Sequence, residues 1–200
     1  MKIAIDFDET IFYSKQKFID FHNAKFKTKI NYKKKEDEKI YDYLKIDYTE
    51  YINRFIIFSK TKYHEKIKPI EDSIEIIKKI KKENELYIIT ARNNLIKKET
   101  LFLLNKYFKN CFKKIIFLNY TNKKKDEKFE ICKKIKIDLI IEDNLDNAYK
   151  CAENGIFVIL LKNKNHNFQT KKKIKHKKII IVKNWKEIEK QIKNIKIKMI

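Results

Sequence analysis

Short, uninterrupted runs of β-branched and aliphatic residues, each closed by a polar residue and followed by a helical period, constrain this chain most. Residues 2–5 end at Asp6, 86–89 at Thr90, 114–118 near Asn119, and 137–141 at Glu142 and Asp143. Residues 156–161 and 179–182 supply a fifth and a sixth run. Continuous apolar runs of this length suit strands covered on both faces. Between them Ile70, Ile74, Ile77 and Ile80 recur at helical spacing, and residues 95–108, 128–135, 145–153 and 185–195 fill the other intervals. Asn144 and Asn184 stand where N-caps of the last two helices belong. Strand and helix in alternation predict an α/β fold, a Rossmann-like, doubly wound parallel sheet. Ligands of such sheets bind beyond the carboxyl ends of the strands, so Asp6, Thr90 and Asp143 should meet in one crevice.

One interval breaks the alternation. Residues 14–68 show no convincing strand, but Phe18, Phe21, His22 and Phe26 share a helical face, and Tyr51, Phe55 and Phe58 mark another. The expected organisation is a catalytic core of residues 1–13 and 69–200, with residues 14–68 inserted as a small helical cap after the first strand. Aromatics at helical spacing are expected to pack, although a cap face could also stack a nucleobase. His22 and Trp185 read as packed residues. The lysine-rich stretch 33–38 reads as a solvated connection, and those at 123–125 and 171–173 as loops.

Composition narrows the setting. Apolar residues make up 43% of the chain, with 14 Phe and 11 Tyr, as in a folded protein rather than a disordered one. No apolar run is long enough to span a bilayer, and the start lacks the pattern of a signal peptide. Cys111, Cys132 and Cys151 are odd in number and widely spaced, which argues against a disulfide framework or a zinc site and favours a cytoplasmic location. The net charge of +22 invites a nucleic-acid partner. Against that, all but two of the 49 basic residues are Lys, and the chain holds one Gly and one Pro, the signature of an AT-rich coding bias. Base reading also favours the planar fork of Arg.

Asp6-Phe7-Asp8-Glu9-Thr10 carries the chemistry. Two carboxylates separated by a single residue at the end of a strand repel each other, and a bound cation keeps both useful at neutral pH. One can then attack an electrophile while the other handles protons. A pair of turn or capping aspartates would show the same spacing without the chemistry.

The sequence resembles the haloacid dehalogenase superfamily of phosphatases, whose first motif is D-x-D-x-T after the first strand. The second motif, a Thr or Ser closing the next strand, is matched by Ile88-Ile89-Thr90-Ala91-Arg92. Lys128, leading into a helix, matches the third, with Lys123, Lys124 and Lys125 just upstream as competitors. The acidic pair of the fourth is matched by Ile140-Ile141-Glu142-Asp143-Asn144. Phe21-His22-Asn23, Asp146-Asn147-Ala148, Cys151-Ala152-Glu153-Asn154-Gly155-Ile156 and Asn184-Trp185-Lys186-Glu187-Ile188 further resemble the small-capped, 5′-nucleotidase-like subgroup. Glu9 departs from the pattern, standing where the family commonly has Gly; it either adds a carboxylate to the site or points to solvent.

The resemblance implies a Mg²⁺-dependent phosphatase acting on a small phosphomonoester, a nucleoside monophosphate among the options, through an aspartyl-phosphate. It makes Asp6 the nucleophile and Asp8 the acid and base. The metal would be held by Asp6, the Asp8 carbonyl and Asp143, with Glu142 holding a metal-bound water. Thr90 and Lys128 would bind the phosphate, while Arg92 would bind phosphate or form a salt bridge. Two alternatives stay open: a nucleic-acid end phosphatase using the basic surface, and a catalytically silent binding module of the same fold.

Overall fold

The computed structural model describes residues 1–31, 40–118, 127–162 and 176–198; Asn119 and the lysine runs at 33–38, 123–125 and 171–173 lie outside these. Six strands form one parallel sheet: β1 (Lys2–Ile5), β2 (Glu85–Thr90), β3 (Lys114–Phe117), β4 (Leu139–Glu142), β5 (Phe157–Leu161) and β6 (Ile179–Val182). Their order is β3-β2-β1-β4-β5-β6. The chain builds outward from β1 on one side, then returns to β4 on the other, so the winding reverses between β1 and β4. The register pairs Ile3 with Leu139 and Ile5 with Ile141, and Asp6 N–H donates to the Ile141 carbonyl at 3.0 Å.

Alternation along the strands divides the core in two. Ile3, Ile5, Leu86, Ile88, Leu139, Ile141, Ile159 and Leu161 point to one face. There they meet α5 (Ser73–Ile80), α6 (Lys97–Phe108) and α9 (Trp185–Lys198). Ala4, Tyr87, Ile89, Ile140, Val158 and Leu160 point to the other face, against α7 (Lys128–Lys134) and α8 (Leu145–Glu153). Helices on both faces are what continuous apolar strands require, because neither face can be left to water. Asn144 and Asn184 cap α8 and α9, accepting from Asn147 N–H at 3.0 Å and Glu187 N–H at 2.9 Å.

The structure shifts some expected boundaries for local reasons. The fourth strand begins at Leu139 rather than Ile137, because Lys136 adopts a left-handed φ of 58° that turns the chain out of α7. Ile70 does not open α5. Its N–H donates to the Ile11 carbonyl at 2.9 Å, and its own carbonyl accepts from Ser73 Oγ at 2.6 Å. A short 3₁₀ turn, Asn94–Ile96, precedes α6.

The described residues 14–31 and 40–65 carry α1 (Ser14–Phe26), α2 (Ile40–Leu44), α3 (Tyr48–Ser59) and α4 (Lys62–Glu65). Phe18 and Phe21 pack against Phe58 in a continuous aromatic layer. The chain enters and leaves this segment side by side, with Tyr13 N–H donating to the Lys68 carbonyl at 3.1 Å beside the Ile70–Ile11 bond. None of the helices in the described residues is long and apolar enough to cross a membrane.

Trp185 joins the last helix to the first motif: its ring is fully buried, and Nε1 donates to the Thr10 carbonyl at 3.0 Å. Trp185→Ala should cost about 3–5 kcal/mol, the usual range for emptying so large a buried site. Trp185→Phe should cost less, keeping most of the packing while losing a hydrogen bond worth about 1 kcal/mol. Urea unfolding of both variants checks this, and equal losses would mean that the indole N–H rather than the ring volume carries the contribution.

Candidate active site

The reversal between β1 and β4 leaves a crevice at the carboxyl ends of the central strands, and the predicted residues meet there. Asp6 follows β1, Thr90 closes β2, Glu142 closes β4 and Asp143 follows it. Lys128 opens α7, whose N-terminus is fixed by a capping box between Glu127 and Glu130. A cavity of about 330 Å³ joins these residues to α1–α3, with Tyr41, Tyr48, Tyr51 and Phe55 on its far wall. That size suits a small organic ligand.

At the base, Lys128 Nζ lies 2.7 Å from Asp6 Oδ1 and 2.6 Å from Glu142 Oε2. Glu142 Oε1 accepts from Asn144 N–H at 3.1 Å, and Thr10 Oγ1 donates to Asp143 Oδ1 at 3.4 Å. Carboxylate oxygens of Asp6, Glu142 and Asp143 all lie within 4.8 Å of one another. Burial, with the charges of Glu142 and Asp8, pushes the Asp6 carboxyl up to about 7 against the pull of Lys128. Burial and the neighbouring Glu142 and Asp6 push Asp143 well above the usual carboxylate range. Burial alone would favour a neutral Lys128, but the two carboxylates outweigh it and hold the ammonium proton more tightly than usual. One lysine offsets only part of the negative charge. Clustered hard oxygen donors fit a divalent cation such as Mg²⁺, which would relieve the remaining repulsion.

The Asp8 side chain turns away from this cluster. Arg92 grips it at both oxygens, Nε to Oδ2 at 2.9 Å and Nη2 to Oδ1 at 2.7 Å. Burial would raise the Asp8 carboxyl, yet the Arg92 charge and its hydrogen bonds hold it below the ordinary value. Of the two roles foreseen for Arg92, the salt bridge is therefore the one seen. Thr90 Oγ1 faces the same cavity and accepts from Arg92 N–H at 3.2 Å.

Glu9 does not point to solvent. It is 6% exposed, and its Oε1 accepts from Lys15 N–H at 2.8 Å at the start of α1. Its φ of 56° is the left-handed conformation that Gly adopts without strain, which explains why a Gly suits this position. Burial pushes its carboxyl up to about 7, against the pull of the Lys15 bond.

Sequence reasoning did not find Ser14 and His64, which flank the Arg92 guanidinium. Neither lies in a recognisable motif; the signal would have been two buried polar residues on opposite ends of the helical segment. His22 is packed as expected, against Phe26, with its nitrogens 2.9 Å from Thr28 Oγ1 and 2.8 Å from Arg54 Nη1. Phe18, Phe21 and Phe26 belong to the packed aromatic layer, although Phe18 also reaches the cavity wall.

The comparisons with known proteins agree with the fold. The structure resembles a haloacid dehalogenase (HAD) hydrolase of Entamoeba histolytica, with a TM-score of 0.65 at 16% identity, over 98% of this chain and 99% of that one. It also resembles the HAD-hydrolase YfnB of Bacillus subtilis, solved bound to magnesium, with a TM-score of 0.57 at 15% identity, over 96% and 97% of the two chains. A nucleotidase of Clostridium acetobutylicum is 30% identical over 191 residues, covering 94% of this chain and 91% of that protein. The chain belongs to the haloacid dehalogenase superfamily. No protein-family model matches it. For a HAD-superfamily member, the crevice at the β1–β4 reversal is the expected place for the reacting groups.

His64 links the site to pH. It is 1% exposed, and Arg92 Nη1 donates to its Nε2 at 2.8 Å, so the ring is neutral with its proton on Nδ1. Burial, reinforced by the Arg92 charge, lowers it from 6.5 to about 3. Between those values the unfolded chain binds the proton and the folded one does not. This contribution is therefore fully present above pH 6.5 and lost as pH falls, at about 1.4 kcal/mol per unit within the window. Urea unfolding from pH 7 to 4 should show a shallower loss for His64→Gln than for the parent, and parallel curves would refute it.

Proposed function

We propose that this protein is a Mg²⁺-dependent phosphatase hydrolysing a small phosphomonoester through an aspartyl-phosphate on Asp6. The observation that carries the reading is the arrangement around Asp6: a nucleophile at the strand end, tied to Lys128, beside Glu142 and Asp143, with Asp8 two residues on. Asp6, Asp143 and the Asp8 carbonyl would hold the metal, and Glu142 would hold one of its waters. When bound, the metal would offset repulsion between Asp6 and a phosphate dianion.

Asp6 attacks phosphorus, forming the Asp6 O–P bond as the bond from phosphorus to the leaving oxygen breaks. The ionised Asp8 first takes up a proton, which a monoprotonated phosphate ester can bring, gives it to that oxygen, then recovers one from the water that displaces the phosphate from Asp6. Thr90 donates to a phosphoryl oxygen, and Lys128 neutralises charge beside the nucleophile. Residues 14–68 act as the cap, closing the site against water and touching the leaving group.

The cap wall suggests which leaving group. Tyr41, Tyr48 and Tyr51 line the cavity and contact one another, ring centroids 5.6 to 6.2 Å apart. Such a wall suits the flat face of a nucleobase, in keeping with a nucleoside monophosphate and with the nucleotidase relative.

Asp6→Asn should lower turnover by several powers of ten with the fold intact, because an amide cannot attack phosphorus and the uncatalysed reaction is extremely slow. A cleanly purified variant turning over at near-parental rates rules the mechanism out. Mg²⁺ should raise the melting temperature of the parent but not of Asp143→Asn, and chelation should abolish turnover; full activity after exhaustive chelation would contradict the metal assignment.

Tyr48→Ala should weaken kcat/KM for nucleoside monophosphates about 10- to 100-fold, the scale of a lost base–aromatic stack, while sparing glycerol phosphate. Tyr48 is half exposed, so the variant should fold. Equal losses on both substrates would remove the wall from substrate selection.

A further inference from the structure

Arg92 is one of only two arginines in the chain, and it is 4% exposed. All five of its N–H groups have acceptors. Nε and one N–H of Nη2 go to the two oxygens of Asp8, and the second N–H of Nη2 reaches Ser14 Oγ at 3.3 Å. Nη1 serves His64 Nε2 at 2.8 Å and Thr100 Oγ1 at 3.3 Å, and Thr100 passes its own proton to the Ile96 carbonyl. The flat face of the guanidinium lies 4.0 Å from the centroid of the Phe7 ring. A planar group held at every donor and on one face has no freedom left, so its direction fixes the Asp8 carboxylate.

We propose that Arg92 is a positioning residue for proton transfer by Asp8, and that the helical segment sets its aim through Ser14 and His64. The inference rests on the acid–base role proposed for Asp8. Ser14 opens α1 and His64 lies in α4, whereas Thr100 belongs to α6 of the core. The guanidinium therefore bridges the two parts of the molecule at the point where Asp8 meets the leaving oxygen. A displacement of α1 or α4 pulls on the fork that orients Asp8. A lysine at this position would supply three donors from a single point and no plane, so it could pair with Asp8 without directing it.

A salt bridge serving stability alone would have the same contacts, and the two roles differ in which substrates suffer. An aryl ester with an acidic phenol leaves without a proton, whereas an alkyl ester needs one. We therefore compare kcat/KM, which reports steps up to phosphoenzyme formation, for p-nitrophenyl phosphate and glycerol phosphate with the full-length protein in Mg²⁺. Asp8→Asn serves as the reference. Arg92→Lys should lower the glycerol phosphate value about 100-fold or more, the lower end of general acid catalysis, and the p-nitrophenyl phosphate value less than about tenfold. Ser14→Ala and His64→Leu should shift the ratio of the two esters in the same direction, by several-fold.

If Arg92→Lys fails to fold, judged by circular dichroism and melting temperature, His64→Leu carries the test, because Ser14 also hydrogen-bonds Asp8 directly. Should every folded variant lose both esters in equal proportion, or lose neither, while Asp8→Asn remains selective, the positioning role is overturned. If Asp8→Asn itself shows no preference between the esters, or the parent hydrolyses neither, the acid–base reading of Asp8 fails, and the positioning role falls with it.

Discussion

Three carboxylates held within 4.8 Å of one another cannot all carry charge in a buried crevice without positive charge among them. Much of the structure is arranged around that repulsion. Lys128 comes from α7, a helix on one face of the sheet, and reaches between Asp6 and Glu142, which come from two different strands. The lysine therefore does mechanical as well as electrostatic work, tying β1, β4 and α7 at one point. Buried pairs of this kind add little net stability compared with an apolar filling, since desolvation offsets most of the attraction. Their retention at this point, rather than another leucine or isoleucine, marks a place where the charge itself is wanted.

The sheet makes the cluster possible at low cost. Because β1 and β4 are neighbours although more than 130 residues separate them, the residues following each strand emerge side by side. No loop has to be bent inward to bring Asp6 and Asp143 together. Trp185 reinforces the same corner from the last helix by binding the Thr10 carbonyl, so the two ends of the chain help to fix the first motif.

The sheet was legible from apolar runs because a parallel strand covered on both faces leaves no room for alternation, and the runs at 2–5, 86–89 and 179–182 sit within observed strands. Asp6, Thr90, Glu142 and Asp143 were legible because each closes or follows such a run. Less visible was what the side chains do once assembled. For Glu9 the sequence left both the site and solvent open, since a left-handed backbone that turns its carboxylate toward α1 leaves no trace in spacing. Ser14 and His64 were invisible for another reason: their partner is contributed by a segment far along the chain. The arginines were the underused clue. In a chain whose basic residues are otherwise all Lys, Arg54 and Arg92 both donate to the Nε2 of a buried histidine and both stack on a phenylalanine. These are two positions where a flat, multiply donating cation is bound on several sides.

The paired entry and exit of residues 14–68 has a consequence for how such a protein can diversify. The backbone at 11–13 is bonded to that at 68–70, so the core meets the helical segment as a closed loop with its ends already joined. The entropy of closing a loop grows only with the logarithm of its length. Helices can therefore be lengthened, shortened or exchanged between the two ends with little penalty to the sheet, whose register is set elsewhere. What such exchanges must preserve is small: a hydroxyl at the start of the first helix and an acceptor near the end of the last, the two grips by which an otherwise replaceable cassette holds the arginine of the core.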